Sequence, residues 1–238
     1  MPGPARPLLL LLIALFTAVS TGAAPPLVIH DRPLPHEAER AALTREYLRA
    51  HLPDGHPHPV DAVDMAPRAV VLHWTGSGSA DSAWHTFAPA RLAGRPELQK
   101  AGALNVGAHF LVDRAGQVSR LAPETRILRH AIGLNHVAIG VENAADGPLG
   151  GRSAAPLTQA QVDANIALVR HLKQQHPTIE LLLGHHELPR VAADPLYAER
   201  DPGYRTGKAD PGDAFMAAVR AGVADLGLRA PPPAPGAP

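Results

Sequence analysis

Two histidines in this sequence stand where a short apolar run ends. Ala69-Val70-Val71-Leu72 delivers His73, and Ile179 to Leu183, followed by Gly184, delivers His185. The first run is continuously apolar and the second is broken only by Glu180, as suits strands buried on both faces, and in open α/β sheets the groups that bind and react collect at strand ends. The two imidazoles are therefore candidates to meet in space, and a zinc site needs two or three such donors converging from different elements. The chain has 14 His and 0 Cys, so a transition metal here must be held by imidazole and carboxylate. Disulfides, thiolate zinc sites and a thiol nucleophile are excluded together. Asp210 suits a third donor. It suits equally well the cap of a helix that begins at Pro211, and spacing alone leaves both readings open.

The elements that must position these residues follow from periodicity. Residues 24–35 carry Pro25, Pro26, Pro33 and Pro35 and are expected as an extended lead-in outside the core. From His36 to His51 the pattern is helical, with Leu43, Tyr47 and Leu48 on one side. A Pro/His-rich linker, Leu52 to Pro59, follows, and its His56 and His58 are expected to be solvated. After the Ala69–Leu72 strand comes a helical stretch from Asp81 to Phe87. Gly107 to Asp113 and Gln117 to Leu121 then alternate with period two around Arg114-Ala115-Gly116, which predicts a hairpin. Val137 to Val141 is a further short apolar strand that ends in Glu142-Asn143. Thr158 with Gln161 makes a capping box for a helix through Val162, Ile166, Val169 and Leu172, stopping before Pro177. A last helix from Pro211 or Gly212 should bury Phe215, Val219 and Leu226. Strands interleaved with helices predict an α/β fold, a single domain with a central mixed β-sheet flanked by helices. That domain is assigned to residues 68–229, after a Pro-rich lead-in with one helix (24–67) and before a disordered Pro-rich tail (230–238).

Composition narrows the function classes. The 238 residues make one domain with extensions or at most two small ones, at about 100–200 residues per domain. With 45% hydrophobic and 18% charged residues the chain is globular, and 22 Lys+Arg against 22 Asp+Glu give no reason to expect a polyanion partner such as nucleic acid, which needs a basic stripe. At the start, Arg6 precedes an apolar run from Leu8 to Val19, shorter than the span of about 20 residues a membrane helix needs. With Thr21-Gly22-Ala23 after it, this predicts a signal peptide over residues 1–23 and a periplasmic or secreted protein, with no stable membrane insertion after cleavage.

Six blocks in order carry a resemblance: Val71-Leu72-His73-Trp74-Thr75; Ala108 to Asp113 with Gly116; Arg129-His130-Ala131; Asn135 to Glu142; Gly184-His185; and Lys208 to Gly212. Over residues 68–220 the chain resembles the type 2 N-acetylmuramoyl-L-alanine amidases, relatives of the peptidoglycan recognition proteins. The resemblance implies a zinc (Zn2+) hydrolase that cuts the amide between N-acetylmuramic acid and the first L-Ala of the stem peptide. It implies His73, His185 and Asp210 as zinc ligands, Glu142 as the catalytic acid/base and Lys208 as the group that polarises the scissile carbonyl. Some members carry a catalytic Tyr where this chain has Ala108, so the proton work falls to Glu142. For His109 and His130 it implies support of the sheet or the groove. The partner expected is peptidoglycan or a muropeptide, bound by a monomer. A non-catalytic peptidoglycan-binding module is the alternative, and a zinc peptidase of other specificity a further one, although H-E-x-x-H is absent.

Two features depart from the compact members of that family. The stretch between His185 and Asp210 is long and broken by Pro189, Asp194-Pro195 and Asp201-Pro202-Gly203. It predicts an inserted loop near the groove, with Tyr197 and Tyr204 as sugar or peptide contacts or, equally well, a surface elaboration. His186 also adjoins His185. Neighbours on an extended chain point to opposite sides, so only one faces a metal, and the Gly-His match selects His185.

Overall fold

The computed structural model describes residues 26–233. The signal-peptide segment 1–23 therefore lies outside the described residues, as do positions 234–238 of the Pro-rich tail. A six-stranded sheet forms the centre: β1 (Ile29–Asp31), β2 (Ala69–Trp74), β3 (Phe110–Val112), β4 (Val118–Arg120), β5 (Ala138–Asn143) and β6 (Leu181–Gly184). Its spatial order is β1-β4-β3-β5-β2-β6. The strands β3, β5, β2 and β6 run parallel, whereas β4 is antiparallel to β3 and β1 is parallel to β4, so the sheet is mixed. The helices are α1 (Glu37–His51), α2 (Ala80–Phe87), α3 (Pro96–Gln99), α4 (Gln159–Gln175) and α5 (Asp213–Gly222).

The apolar runs are continuous because the central strands are covered on both faces. Val70 and Leu72 of β2 join one core cluster with Val162, Val169 and Leu172 of α4 and Phe215 and Val219 of α5. Ala69 and Val71 join a second with Leu43 and Tyr47 of α1 and with Leu188, Leu196 and Tyr204. All four β2 residues are 0% exposed, as alternation to opposite faces requires. The capping box of α4 is present: Gln161 N donates to Thr158 Oγ1 at 3.2 Å and Thr158 N to Gln161 Oε1 at 3.1 Å. In the hairpin, Asp113 Oδ1 accepts from Ala115 N and Gln117 N, and Gly116 takes φ 85°.

Three expectations need correction and one needs sharpening. The proline-rich lead-in is extended and none of residues 26–35 is buried, as expected, but it also joins the sheet: β1 supplies an edge strand to β4, and Leu34 N donates to Leu121 O. The reason is that β4 offers an unpaired edge, and Pro33 and Pro35 fall just beyond the pairing residues. His56 and His58 are half-buried, not solvated, with the His56 ring edge-on to buried His136 at 4.7 Å. The last helix ends at Gly222, so Leu226 reaches the core from a following 3-10 turn, Ala224–Leu226. His185 opens a 3-10 helix, His185–Val191, so the chain is not extended there. At about three residues per turn neighbours still diverge.

Segments near both ends of the described chain border the sheet. β1 covers β4, and on the far side Arg229 pairs with β6, with Leu182 N donating to Arg229 O and Arg229 N to Glu180 O. Of the expected tail, Pro231 is buried and the Pro232 carbonyl accepts from Arg190. No helix among the described residues is long and apolar enough to cross a membrane.

Candidate metal centre and active site

The register of three parallel strands assembles most of the site. His73 on β2 is the pairing partner of Glu142 on β5, and Leu72 pairs with Gly184 on β6, which puts His185 one step past the strand at the level of His73. Paired residues share a face of the sheet, so the His73 and Glu142 side chains emerge together. Asn143 fixes the strand ends by donating Nδ2–H to the His73 carbonyl at 3.0 Å, while its Oδ1 accepts from Asn165 of α4 at 2.7 Å. Asp210 enters from outside the sheet, ahead of α5.

His73, His185 and Asp210 converge. His73 Nδ1 lies 2.9 Å from His185 Nδ1 and 3.4 Å from Asp210 Oδ2, and His185 Nδ1 lies 3.1 Å from the same oxygen. Donor atoms around a tetrahedral zinc at about 2.0–2.1 Å sit roughly 3.3–3.4 Å apart, so the spacing suits a small cation. Each of the three is nearly buried. Burial, then His185 alongside, pushes His73 down to about 4, so its imidazole is neutral at neutral pH, as a metal donor must be.

The hydrogen-bond chain behind His73 assigns its tautomer. His130 Nε2 faces only an acceptor, the Ala138 carbonyl at 3.0 Å, and therefore carries a proton. Burial, with His73 and His109 nearby, holds His130 well below the ordinary histidine range, so the ring is neutral and its Nδ1 accepts. His73 Nε2, at 3.2 Å, then donates to it, which leaves the His73 Nδ1 lone pair bare and aimed at the cluster. The packing permits this because position 140 is glycine: a Cβ there would stand 2.7 Å from His130 Cγ. His109 plays a different part, accepting from Gly140 N at 3.0 Å and donating to Arg126 O at 2.6 Å. It ties β3 to β5.

Glu142 Oε2 is buried without a hydrogen-bond partner. Burial first, and the Asp210 charge second, push its carboxyl up to about 8, against Lys208 and Arg95. The site opens into a groove of about 690 Å3 that includes Glu142, Lys208, Arg95 and Asn135 in its walls. Lys208 is exposed and has no ion-pair partner among the described residues.

The inserted stretch behaves differently from the expectation. Tyr197 does not line the groove; its ring covers Gly133, where a Cβ would stand 2.3 Å from Cε2, and Arg205 stacks over it at 5.5 Å. Tyr204 does line the groove, but its hydroxyl accepts from Arg129 Nε at 3.1 Å and Nη2 at 2.9 Å. Arg129 also donates to the carbonyls of Leu98, Gly102 and Leu104, which ties the α3 loop to the insertion. Sequence spacing gave no signal for this hub, nor for His130 as the residue that sets the His73 tautomer, because their partners are distant along the chain.

Comparison with protein families matches residues 63–213, more than half the chain, to the family described as N-acetylmuramoyl-L-alanine amidase. The chain belongs to that family. Among solved structures, this amidase-family chain is similar to the N-acetylmuramoyl-L-alanine amidase LysC from Clostridium intestinale URNW, at 19% identity over 71% of this chain and 90% of that one, with a TM-score of 0.43. It is similar to AmiD from E. coli in complex with an anhydro-N-acetylmuramic acid peptide substrate, at 20% identity over 62% and 61% of the two chains, TM-score 0.41. It is also similar to the Drosophila peptidoglycan recognition protein SD, at 19% identity over 68% and 85%, TM-score 0.40. A comparison with curated proteins finds no match. In this member of the amidase family, all five residues expected to act, His73, Glu142, His185, Lys208 and Asp210, line one groove.

Proposed function

We propose that this protein is a zinc-dependent amidase of peptidoglycan or muropeptides, hydrolysing the bond between N-acetylmuramic acid and L-Ala outside the inner membrane. The observation that carries the reading is the pairing of a three-donor cluster with a half-buried carboxylate, Glu142, whose Oε2 is buried and unpartnered among the described residues, in register with His73. His73, His185 and Asp210 would hold the metal, and the bare lone pair of His73 Nδ1 fits that role. When bound, zinc supplies Lewis acidity that activates water and polarises a carbonyl.

The remaining work belongs to the chain. Glu142 takes a proton from the attacking water as the new C–O bond forms, and returns it to the L-Ala nitrogen as the C–N bond breaks. A carboxyl raised to about 8 by burial is matched to a group that must both accept and donate near neutrality, and a dication beside it draws that value down. Lys208, at the groove wall with no acidic partner among the described residues, donates to the developing oxyanion. Arg129 and Asn135 hold the walls: Asn135 Oδ1 accepts from His130 N and Ala131 N, at 2.9 and 2.7 Å. A non-catalytic binding module requires neither the buried carboxylate nor the facing lysine, which favours the enzyme.

Mass analysis of a sacculus digest tests the assignment. Intact stem peptides with a free L-Ala amine are expected, with glycan strands unbroken. New reducing ends, new internal peptide termini, or binding without products would each overturn it.

A further inference from the structure

Asp210 reaches the cluster by a route unlike that of the two histidines. Residues 186–209 separate it from His185, and Gly203 and Arg205 to Ala209 are exposed or half-buried loop. What returns the chain to the strand end is His186. Its backbone N–H donates to the Asp210 carbonyl at 2.8 Å, and its ring Nδ1 donates to the same oxygen at 3.1 Å. Its Nε2 lies 3.0 Å from Asp213 Oδ1 in the first turn of α5. One side chain thus brackets the peptide unit that carries Asp210, from just before Pro211 to just after it. Gly184 makes this possible: a Cβ there would stand 2.8 Å from His186 Cε1 and Nδ1 and 2.9 Å from Met216 Cγ. The glycine that precedes the ligand His185 serves the fold of its neighbour.

We propose that His186 is the positioning residue for Asp210, a clamp that presents the carboxylate to the two imidazoles without touching the metal. The proposal rests on the zinc reading above. Groups that orient a metal's ligands typically change metal affinity about 10–100-fold when removed, and the Asp210 carbonyl is held on the loop side by this one residue among the described residues.

The test is zinc affinity of the full chain, measured by competition with a chromophoric chelator, alongside thermal unfolding of the metal-free protein. His186→Ala should weaken zinc binding by about 10–100-fold while the metal-free protein still unfolds cooperatively. His186→Asn places an amide N–H where Nδ1–H stands and should recover most of the affinity. His186→Gln reaches only the Nε2 position and should recover little. Wild-type affinity in His186→Ala, or rescue by Gln in place of Asn, overturns the proposal. Should His186→Ala fail to fold, the order of the Asn and Gln variants decides. A wild-type chain with no zinc affinity sinks the zinc reading itself and this proposal with it, whereas unaltered affinity in His186→Ala sinks the clamp alone.

Discussion

The two halves of the candidate centre are held in place by different means. His73 and Glu142 stand on neighbouring strands whose ladder fixes them opposite one another, over a stretch of β2 that is 0% exposed. Asp210 and Lys208 arrive on a polar loop whose backbone, at the Asp210 carbonyl, is tied to the strand end by His186. The sheet places a side chain by register, in which a slip of one residue would turn it to the other face. The loop places one by individual hydrogen bonds, each contributing about 0.5–1.5 kcal/mol. The sheet-borne half should therefore resist changes elsewhere in the chain, and the loop-borne half should be the adjustable one.

That contrast can be broken by substitution. The largest effect is expected from the donors themselves: His73→Ala and His185→Ala should lose zinc by elemental analysis and fall to background activity while remaining folded. Asp210→Asn should do the same from the loop side, since a neutral amide is a poor zinc ligand; retention of metal there would mean the loop donor is dispensable. Next, Glu142→Gln should keep zinc and muropeptide binding and lose about 10²- to 10⁴-fold in kcat, with KM little changed. Loss of zinc in that variant would instead make Glu142 a ligand. Smaller again is a packing effect on the sheet side. Gly140→Ala drives a methyl into the His130 ring and should cost about 1–3 kcal/mol in urea unfolding. The smallest is its counterpart on the loop, Gly207→Ala, which meets nothing within 4 Å and should stay within about 0.5 kcal/mol of wild type. Equal costs for the two alanines would erase the distinction between the halves.

The same division decides what the sequence reveals. Ala69–Leu72 and Leu181–Leu183 announce buried strands because two-sided cover demands uninterrupted apolar residues, so the positions of His73 and His185 are legible from the sequence. Glu142 follows from the strand that ends in it. Asp210 is legible only as an Asp before Pro211, which a helix cap explains as well, and only the resemblance separates the readings. The His73–His130 bond, the Arg129 hub and the His186 clamp leave no periodic trace, since each joins segments brought together by the fold. Tyr197 misleads for the same reason: an aromatic in a loop looks like a substrate contact until Gly133 is found beneath it. The lead-in misleads through its prolines, which mark where β1 stops and say nothing of what precedes them.

The two ends of the described chain have a consequence for how the domain may be cut. The family match spans residues 63–213, yet β1, which pairs with β4, α1, nearly all of α5, and Arg229, which pairs with β6, lie outside it. A fragment trimmed to the matched residues would keep every donor atom of the cluster, lose the core side chains of α1 and α5, and bare the pairing groups of β4 and β6. Open edges of that kind are templates for pairing with another copy. The terminal segments thus complete the core and pair with β4 and β6, and the smallest piece that stays monodisperse is expected to be longer than the smallest piece that carries the donor residues.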